Sequence, residues 1–328
     1  MSVRAYAPAS IGNFAVGFDL LGAALAPIDG TRWGDEVEAD SAPDGAFTLD
    51  LLGPYADALP AEPGANLVTT AWDVFGRELR KRGISVGGCH VTLDKQLPIA
   101  SGLGSSASSI AAALYAYNAL YGFPLDALTL LRLAGHVEVG ASGSLHYDNV
   151  APCLLGGMQL VRPGEPVSTE ALPVCGAWLL AVVHPALQVH TRRARQILPS
   201  TVLLSSAVSY AQNLAAFVHA MHTGDLELLG AALRDELIEP HRAPLVPGFD
   251  QVKLAALQQG ALGCSLSGSG PTVFAVAQRE RTQAVLEAMM AAFRAGGTPC
   301  EGHVCGVDAQ GARLMGASVS PPGVAPGS

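Results

Sequence analysis

Charged residues are scarce in this chain of 328 residues, and positive charge is the scarcer sign. Charged side chains make up 14% of the sequence, and 19 Lys and Arg stand against 28 Asp and Glu, for a formal net charge of −9 at pH 7. Nucleic-acid binding depends on concentrated positive charge, so this composition disfavours it. Apolar residues reach 49%, which argues against a disordered chain.

Long hydrophobic runs and paired cysteines are also missing. No apolar run approaches about 18 residues, so we expect no membrane span. The first residues lack the apolar core of a secretion signal, which makes the cytoplasm the expected location. The six cysteines include no Cys-x-x-Cys pair, so we expect reduced thiols and no zinc site.

Two familiar phosphate-binding patterns are absent from the Gly- and Ser-rich segment 97–107 (LPIASGLGSSA). No lysine follows its glycines, which excludes the Gly-x-x-x-x-Gly-Lys-Ser/Thr loop. The dinucleotide pattern tolerates Ala107, but it also needs an acidic residue at a strand end ~20 residues later. Asp126 lies near that distance but follows Gly122 and Pro124, where a helix should begin. The sequence therefore disfavours a hydride-transfer enzyme.

What segment 97–107 does contain is a Gly/Ser turn that opens into a helix. Ile110, Leu114, Tyr117 and Tyr121 recur at the spacing of one helix face. A turn of this kind presents free backbone N–H groups and the positive end of the helix dipole, so it predicts an anion site, with a nucleotide phosphate as the candidate. The alternative is a small-residue N-cap where a helix and a strand pack closely.

The rest of the pattern predicts a mixed chain with two domains. A Pro- and Gly-containing segment at 162–166 is the best boundary signal. It divides the chain into an N-terminal domain (1–165), a C-terminal domain (166–318) and a disordered tail (319–328). We predict strands at 3–9, 35–39, 47–52, 84–95, 154–161, 177–183, 273–277 and 303–307, and helices at 66–82, 105–121, 126–139, 191–195, 201–222, 225–239 and 281–295.

Several polar side chains stand in apolar surroundings and are candidate site residues. Asn13 and Asp19 interrupt a Gly-rich apolar segment, where the simpler interpretation is a turn cap and a carboxylate that accepts backbone amides. Glu138 falls near the end of a predicted helix, and a solvent-facing or ion-paired residue is its alternative. His146 could equally be a core histidine with its hydrogen bonds satisfied.

Three segments together resemble the GHMP small-molecule kinases, which include galactokinase, homoserine kinase, mevalonate kinase and phosphomevalonate kinase. They are 98–107 (PIASGLGSSA), 143–152 (GSLHYDNVAP) and 266–272 (LSGSGPT). Within that group the chain resembles the homoserine kinases of the proteobacterial type, through 6–10 (YAPAS), 16–22 (VGFDLLG), 146–153 (HYDNVAPC) and 239–242 (EPHR). The resemblance runs from residue 3 to about residue 315.

The resemblance implies a two-domain α+β GHMP kinase fold, with an N-terminal domain like domain 2 of ribosomal protein S5 and a ferredoxin-like C-terminal domain. It implies transfer of the ATP γ-phosphate to the side-chain hydroxyl of L-homoserine, giving O-phospho-L-homoserine on the route to threonine. The implied ATP-binding residues are Asn66, near the adenosine, and Pro98, Ile99, Ala100, Ser101, Gly102, Leu103, Gly104, Ser105, Ser106, Ala107 and Ser108, around the phosphates. Ser106 and Glu138 would hold Mg²⁺, which prefers hard oxygen ligands.

The resemblance also implies the substrate pocket. Arg195 and Arg242 match carboxylate-binding arginines, a role that suits planar guanidinium groups. Asp19, with Asn13 and His146, matches the positions that hold the amino group and the substrate backbone. Asn149 and Thr191 match positions near the hydroxyl and the γ-phosphate.

An amide stands at Asn149 where some members of the family have an aspartate that works with a lysine. An amide cannot act as a general base at neutral pH. We therefore expect direct in-line transfer through alignment and charge neutralisation, which phosphoryl transfer allows.

The family pattern is not matched everywhere. Ala100 replaces a loop residue that is often glycine, and His136 stands at a position that is often acidic. A kinase for another small alcohol and a non-catalytic nucleotide-binding sensor remain alternatives. The sequence also leaves open whether the protein forms a homodimer.

Overall fold

A computed structural model describes residues 1–42, 45–60, 62–164 and 166–316. The predicted tail and residue 165, at the predicted domain boundary, lie outside the described residues. The strands are β1 (Ser2–Pro8), β2 (Ser10–Gly12), β3 (Leu21–Pro27), β4 (Gly34–Ala42), β5 (Phe47–Leu52), β6 (Gly88–Asp94), β7 (Met158–Arg162), β8 (Ser168–Leu172), β9 (Trp178–Pro185), β10 (Ala261–Leu266), β11 (Val273–Gln278), β12 (Cys300–Val307) and β13 (Arg313–Leu314). The helices are α1 (Leu67–Lys81), α2 (Ser105–Leu120), α3 (Ala127–Ser142), α4 (Val150–Leu155), α5 (Thr191–Gln196), α6 (Leu204–Thr223), α7 (Leu226–Ala232), α8 (Glu239–Arg242), α9 (Phe249–Gln258) and α10 (Thr282–Ala295). None of the described helices combines the length and apolarity needed to cross a bilayer.

The strands form two sheets. The first has the order β13-β1-β4-β6-β5, and an apolar core joins it to α1, α2, α3 and α4. The second has the order β10-β11-β9-β12-β3-β7-β8, with β2 paired to β3. Two further apolar clusters lie against it, one with side chains of α6 and α7 and one with side chains of α9 and α10. Both sheets join strands from before and after residue 165, so the division at that residue stays a prediction.

Most predicted elements are present, two predictions are wrong in detail, and several elements, among them β3, β8, β10 and α9, were not predicted. The first part of the predicted strand 154–161 is the end of α4, which stops at Gly156, where a positive φ of 75° breaks the helix. The predicted helix 225–239 ends at Ala232, because the Asp235 side chain accepts the amides of residues 237–239 and so starts α8 separately. Strand β3 is missing from the prediction, because its small apolar residues are nearly all buried and so show no alternation.

Helix α2 is more deeply buried than its predicted amphipathic face implies. Small residues such as Ala111, Ala112 and Ala113, away from the predicted face, are also fully buried. The helix contacts β1 and β4 as well as α1, α3 and α4. Alanine and serine at the contacts allow this close approach, which fixes the start of α2 relative to both neighbouring layers.

A buried ion pair lies beside the start of α2. The Lys95 ammonium, almost completely buried, donates to the Asp35 carboxylate, to the carbonyl of Ser105 at 2.8 Å and to Ser109 Oγ at 3.0 Å. Asp35 also accepts the backbone amides of Gln96 at 2.9 Å and of residue 97 at 3.0 Å. The pair therefore ties strand β4, the segment after β6 and the first turn of α2 together.

We expect Lys95→Met to lower the free energy of unfolding by about 3–5 kcal/mol, because it leaves the buried Asp35 carboxylate without its counter-charge. Urea unfolding followed by circular dichroism measures the change. Lys81→Met is the control, since it removes an exposed lysine 3.9 Å from Glu78, a contact worth less than about 1 kcal/mol. Equal effects of the two substitutions would contradict the stabilising role of the buried pair.

Candidate functional site

A cavity of about 760 Å³ is lined by residues from both halves of the chain. The predicted site residues that line it are Asn13, Asp19, Asn66, Ile99, Ala100, Ser101, Gly102, Gly104, Ser105, Ser106, Glu138, His146, Asn149, Thr191, Arg195 and Arg242. The fold therefore brings together all the residues predicted for substrate and metal binding, although up to 229 positions separate them (242 − 13).

Four of the predicted ATP-binding residues do not line the cavity. They are buried behind the loop: Pro98, Leu103, Ala107 and Ser108. Leu103 and Ala107 belong to two different apolar cores, and the Ser108 hydroxyl donates to the carbonyl of Ala7 at 2.7 Å and accepts the amide of Asp35 at 2.9 Å. These side chains support the loop and the helix that follows it.

The loop before α2 is held by hydrogen bonds from the second half of the chain. The carbonyl of Ala100 accepts the Val189 amide at 3.0 Å, and the carbonyl of Ser101 accepts the Thr272 hydroxyl at 2.7 Å. The carbonyl of the next residue, Gly102, accepts the Ser267 hydroxyl. Among the loop's amides, that of Leu103 donates to Ser101 Oγ at 3.2 Å. The N–H groups in the first turn of α2 have no intrahelical acceptor, which suits an anion.

Backbone conformation explains two small residues in this loop. Gly102 has a φ of 79°, and a Cβ there would lie 2.6 Å from the carbonyl oxygen of Ser267. Ala100, which stands where relatives often have glycine, also adopts a positive φ of 55°. An L-residue in this region is strained by about 1 kcal/mol or more, so the loop stores backbone strain at the cavity wall.

Ser106 and Glu138 meet at the start of α2. The Ser106 hydroxyl donates to Glu138 Oε1 at 2.9 Å. Burial, together with the nearby Asp148 carboxylate, raises the pKa of Glu138 to about 7. Hydroxyl and carboxylate oxygens suit a hard divalent cation, and a buried acid gains most from one. The pair fits Mg²⁺, although no cluster of three acidic, His or Cys side chains suited to a metal is found in the described residues.

Asn66 is the N-cap of α1. Its amide oxygen accepts the amide of Val68 at 2.9 Å. Its Nδ2 group is buried and has no hydrogen-bond partner within the described part of the chain. A buried donor without a partner is costly, so this amide is set to donate to a ligand in the cavity.

Asp19, Arg195 and His146 form a charged cluster in the cavity wall. Arg195 Nη2 lies 2.6 Å from Asp19 Oδ1, and His146 Nδ1 lies 3.3 Å from the same oxygen. Burial lowers the pKa of His146, while the Asp19 carboxylate raises it. The Nε of Arg195 is buried and finds no acceptor among the described residues. Asp19 thus leaves one edge of the guanidinium available.

Arg242 lies close to this cluster and is 3% exposed. Its Nη1 donates to the carbonyl of Gly268 at 2.8 Å, and its Nε donates to the carbonyl of Ala194 at 3.3 Å. Burial lowers the pKa of Arg242, and the positive charge of Arg195 lowers it further. Two guanidinium groups that repel each other in a cavity form a site for an anion.

Asn149 is oriented by two neighbours. Its Oδ1 accepts the Ser10 hydroxyl at 2.9 Å, and its Nδ2 donates to Asp148 Oδ2 at 3.3 Å. A Cβ at Gly104 would lie 3.0 Å from the same Oδ1, so the amide lies against the end of the loop. Asp148 is buried, which raises its pKa to about 7. Thr191 begins α5 and lines the cavity.

The segment that carries Asn13 and Asp19 is strained. Four of its non-glycine residues have positive φ: Asn13 at 65°, Phe14 at 41°, Ala15 at 62° and Asp19 at 61°. The Asn13 side chain caps this turn, since its Oδ1 accepts the Asp19 amide at 3.0 Å and its Nδ2 donates to the Gly268 carbonyl at 3.2 Å. The simpler interpretation of Asn13 is thus correct, and its contact with substrate stays a prediction.

Several residues of the site were not predicted: Ser10, Phe18, Lys95, Tyr210, Ser267 and Thr272. Ser267 and Thr272 lie in the third family segment, which could have pointed to them. Ser10 and Phe18 lie in segments 6–10 and 16–22, which carry the narrower resemblance and could also have pointed to them. Lys95 and Tyr210 look ordinary in sequence, because their partners Asp35 and Phe18 are distant along the chain.

Comparisons with known proteins agree with this geometry. The model of the GHMP kinase N-terminal domain matches residues 66–157, and that of the GHMP kinase C-terminal domain matches residues 217–295. A crystal structure of homoserine kinase from Cytophaga hutchinsonii is 38% identical, with a TM-score of 0.89, and covers 96% of this chain and 97% of its own. The chain belongs to the GHMP kinase family. Its two-domain α+β architecture is the GHMP kinase fold, and it is a small-molecule phosphotransferase.

Two family members with other names share the fold at lower identity. Phosphomevalonate kinase from Streptococcus pneumoniae is 15% identical, with a TM-score of 0.67 over 93% of this chain and 99% of that one. Mevalonate kinase from L. major, in complex with R-mevalonate, is 16% identical, with a TM-score of 0.65 over 94% of this chain and 96% of that one. At these identities the likeness concerns the fold alone.

His184 on β9 gives a prediction for the loop contacts. It is buried and lies with Nδ1 3.1 Å from the Thr272 hydroxyl that holds the loop. Burial lowers its pKa to about 4. Because the unfolded chain takes up this proton near pH 6.5 and the folded chain near pH 4, we expect stability to fall as pH falls through this range, by about 3 kcal/mol.

His184→Asn should remove this part of the pH dependence, because the amide keeps a donor near the Nδ1 position and does not titrate. Urea unfolding at pH 7, 5.5 and 4.5 measures it. His222→Asn, on the exposed end of α6, is the control and should keep the native dependence. An unchanged dependence in His184→Asn would contradict the assignment.

Proposed function

We propose that this GHMP kinase transfers the γ-phosphate of ATP to the side-chain hydroxyl of L-homoserine, giving O-phospho-L-homoserine and ADP. The observation that carries the proposal is the charge arrangement of the cavity. Arg195, Arg242 and Asp19 form one charged cluster in the cavity that the start of α2 also lines, and the other charged lining residues are Lys95, Glu138, Asp148 and Arg192. A zwitterionic amino acid fits the charged cluster, and a triphosphate beside it fits the start of α2.

The nucleotide would bind through backbone groups. The amides of the loop and of the first turn of α2 suit the phosphates, because they combine N–H donors with the positive end of a helix dipole. The unpartnered Nδ2 of Asn66 supports a role beside the adenosine. In a chain of net charge −9, backbone donors provide phosphate binding without further lysines.

Ser106 and Glu138 would hold Mg²⁺ together with phosphate oxygens and water. When bound, the ion would neutralise charge on the phosphates. The Ser106–Glu138 hydrogen bond keeps both oxygens on one side of the cavity, so these residues are already arranged for the ion.

The amino acid would bind by charge pairing. Arg242 and the second edge of Arg195 suit its carboxylate, since a planar guanidinium group can donate two parallel N–H bonds to the two carboxylate oxygens. Asp19, with Asn13 and His146 next to it, suits the ammonium group. Asn149 and Thr191 then lie where the hydroxyl would approach the loop.

We infer that the transfer needs no dedicated base. The Asn149 amide is held by Ser10 and Asp148 and can align the hydroxyl without taking its proton. The loose transition state of phosphoryl transfer depends mainly on alignment and charge neutralisation. The proton would leave late, to the transferred phosphate or to water.

Further features of the proposal follow from the resemblance. The product would enter threonine biosynthesis in the cytoplasm, and the sequence divides at residue 165 into the two family domains. A kinase for another small alcohol is the alternative, since relatives of this fold include mevalonate kinase. A nucleotide-binding sensor without activity is a second alternative.

We expect the protein to phosphorylate L-homoserine in the presence of ATP and MgCl₂, and not mevalonate, shikimate or galactose. Coupled ADP release and mass spectrometry of the product measure this. Turnover of another alcohol in place of homoserine would contradict the substrate. ATP binding without any product would favour the sensor.

In the same assay, Arg242→Ala should raise the homoserine KM about 10- to 100-fold, because it removes a charge-assisted contact worth ~1.5–3 kcal/mol. The KM for ATP should change little. Arg193→Ala is the matched control, since Arg193 lies on the exposed face of α5 and does not line the cavity. An unchanged homoserine KM in Arg242→Ala would reject the carboxylate site.

Asn149→Ala should lower kcat about 100-fold through lost alignment, with the pH profile of kcat unchanged, because the amide does not titrate. Asp148→Asn tests the neighbouring carboxyl group. A general base contributes about 10²–10⁴-fold to kcat. Because we expect no such role for Asp148, Asp148→Asn should lower kcat far less than this and should leave the acidic limb of the pH profile of kcat unchanged. Disappearance of that limb together with a ~10³-fold loss would make Asp148 the base and overturn base-free transfer.

A further inference from the structure

Phe18 connects the two arginines that we assign to the substrate carboxylate. The guanidinium carbon of Arg195 lies 5.1 Å from the centroid of its ring, and that of Arg242 also lies 5.1 Å away. Both distances are within the range of a cation–π interaction. Two cations from different segments therefore share one aromatic ring.

The ring is not explained by packing in the core. Phe18 is only partly buried, and it belongs to none of the three apolar clusters of the described residues. It stands between Gly17 and Asp19 in the strained segment, beside the carboxylate that pairs with Arg195. A partly exposed apolar ring between two arginines, next to this strained backbone, indicates a role in the site.

The two arginines need such a contact because they repel each other. Asp19 neutralises Arg195, whereas the hydrogen bonds of Arg242 to described residues go to the carbonyls of Gly268 and Ala194. The carboxylates of Asp19 and Asp148 attract both guanidinium groups. The negative face of the Phe18 ring adds a direct contact with both of them before substrate binds. It thus opposes their separation.

Tyr210 of α6 fixes Phe18 from the second half of the chain. Its phenolic oxygen accepts the Phe18 amide at 2.7 Å. The same hydroxyl points to the carbonyl of Ala15 at 3.5 Å. The phenol therefore bridges two points of the strained segment and sets where the ring lies.

We propose that Phe18 is a positioning residue that holds Arg195 and Arg242 together to receive the substrate carboxylate, with Tyr210 as its anchor. The proposal rests on the proposed function, since it assumes that these arginines bind a carboxylate. It predicts that Phe18 acts on substrate affinity and on the preference for a carboxylate, and leaves nucleotide binding alone.

The test compares Phe18→Leu, which keeps an apolar side chain without a ring, with Phe18→Tyr, which keeps the ring. We expect Phe18→Leu to raise the homoserine KM about tenfold, as loss of two cation–π contacts implies, with kcat and the ATP KM within about twofold of the native enzyme. Phe18→Tyr should restore the native KM. Phe47→Leu, a partly buried phenylalanine stacked on Trp72, is the control for a general packing loss and should leave the homoserine KM native.

L-homoserine amide provides a readout that a purely structural role would not move. The amide lacks the carboxylate charge, so the native enzyme should strongly prefer homoserine. In Phe18→Leu this preference, the ratio of kcat/KM values, should shrink about tenfold, because only the charged substrate uses the paired guanidinium groups. Tyr210→Phe should also reduce the preference for homoserine over its amide. Tyr121→Phe, which removes a comparable bond to the Gly87 amide at 3.0 Å, should not.

The outcomes separate the two proposals. A native enzyme that phosphorylates homoserine, with an unchanged KM and unchanged preference in Phe18→Leu, overturns the role of Phe18 and keeps the proposed function. A kcat loss shared by Phe18→Leu and Phe18→Tyr also overturns it. A native enzyme that phosphorylates another hydroxy acid and not homoserine overturns the proposed substrate. The role of Phe18 is then supported if Phe18→Leu shrinks the preference for that acid over its amide, and overturned if the preference is unchanged. Turnover only of alcohols without a carboxylate overturns both proposals.

Discussion

The site depends on the way the loop before α2 is held by its carbonyl groups. The carbonyls of residues 100–102 each accept a hydrogen bond from the second half of the chain. Fixing a glycine-containing loop in one conformation costs conformational entropy, and these hydrogen bonds offset that cost. With the loop held in this way, the first turn of α2 lies at the cavity, where its N–H groups without an intrahelical acceptor can meet a ligand. The same contacts connect the two halves of the chain at the cavity.

Several ionisable side chains of the cavity are buried, and burying their charge is costly for the protein without a ligand. Glu138 and Asp148 are buried carboxyl groups whose pKa values rise to about 7, and burial lowers the pKa of Arg242. Each of these costs decreases when a group of opposite charge binds. Groups with perturbed pKa values are concentrated at functional sites, where a bound ligand can offset the cost of burying them. The buried Lys95–Asp35 pair, by contrast, is complete without a ligand.

The sequence predicts those features whose signal is contiguous. The turn into α2, the Thr191 helix and the strand–helix–strand end of the chain follow from local spacing, whereas the anion site at that turn stays a prediction. The pairing of Asp19 with Arg195, 176 positions apart, has no local signal, and only the family resemblance points to it. Strand β3 and the depth of α2 escape prediction because small residues buried on several sides lose the periodicity that identifies a face.

Substrate choice in such a cavity depends on the carboxylate of the protein more than on its arginines. Two guanidinium groups would bind any small acid with a hydroxyl group, and mevalonate is one. Asp19 changes this, because its charge already balances Arg195 at 2.6 Å and leaves less net positive charge for a simple acid. A zwitterion brings an ammonium group that Asp19 can accept while Arg242 takes the carboxylate. The charges of Asp19, Arg195 and Arg242 therefore support the proposal of an amino acid substrate over a hydroxy acid of the same size.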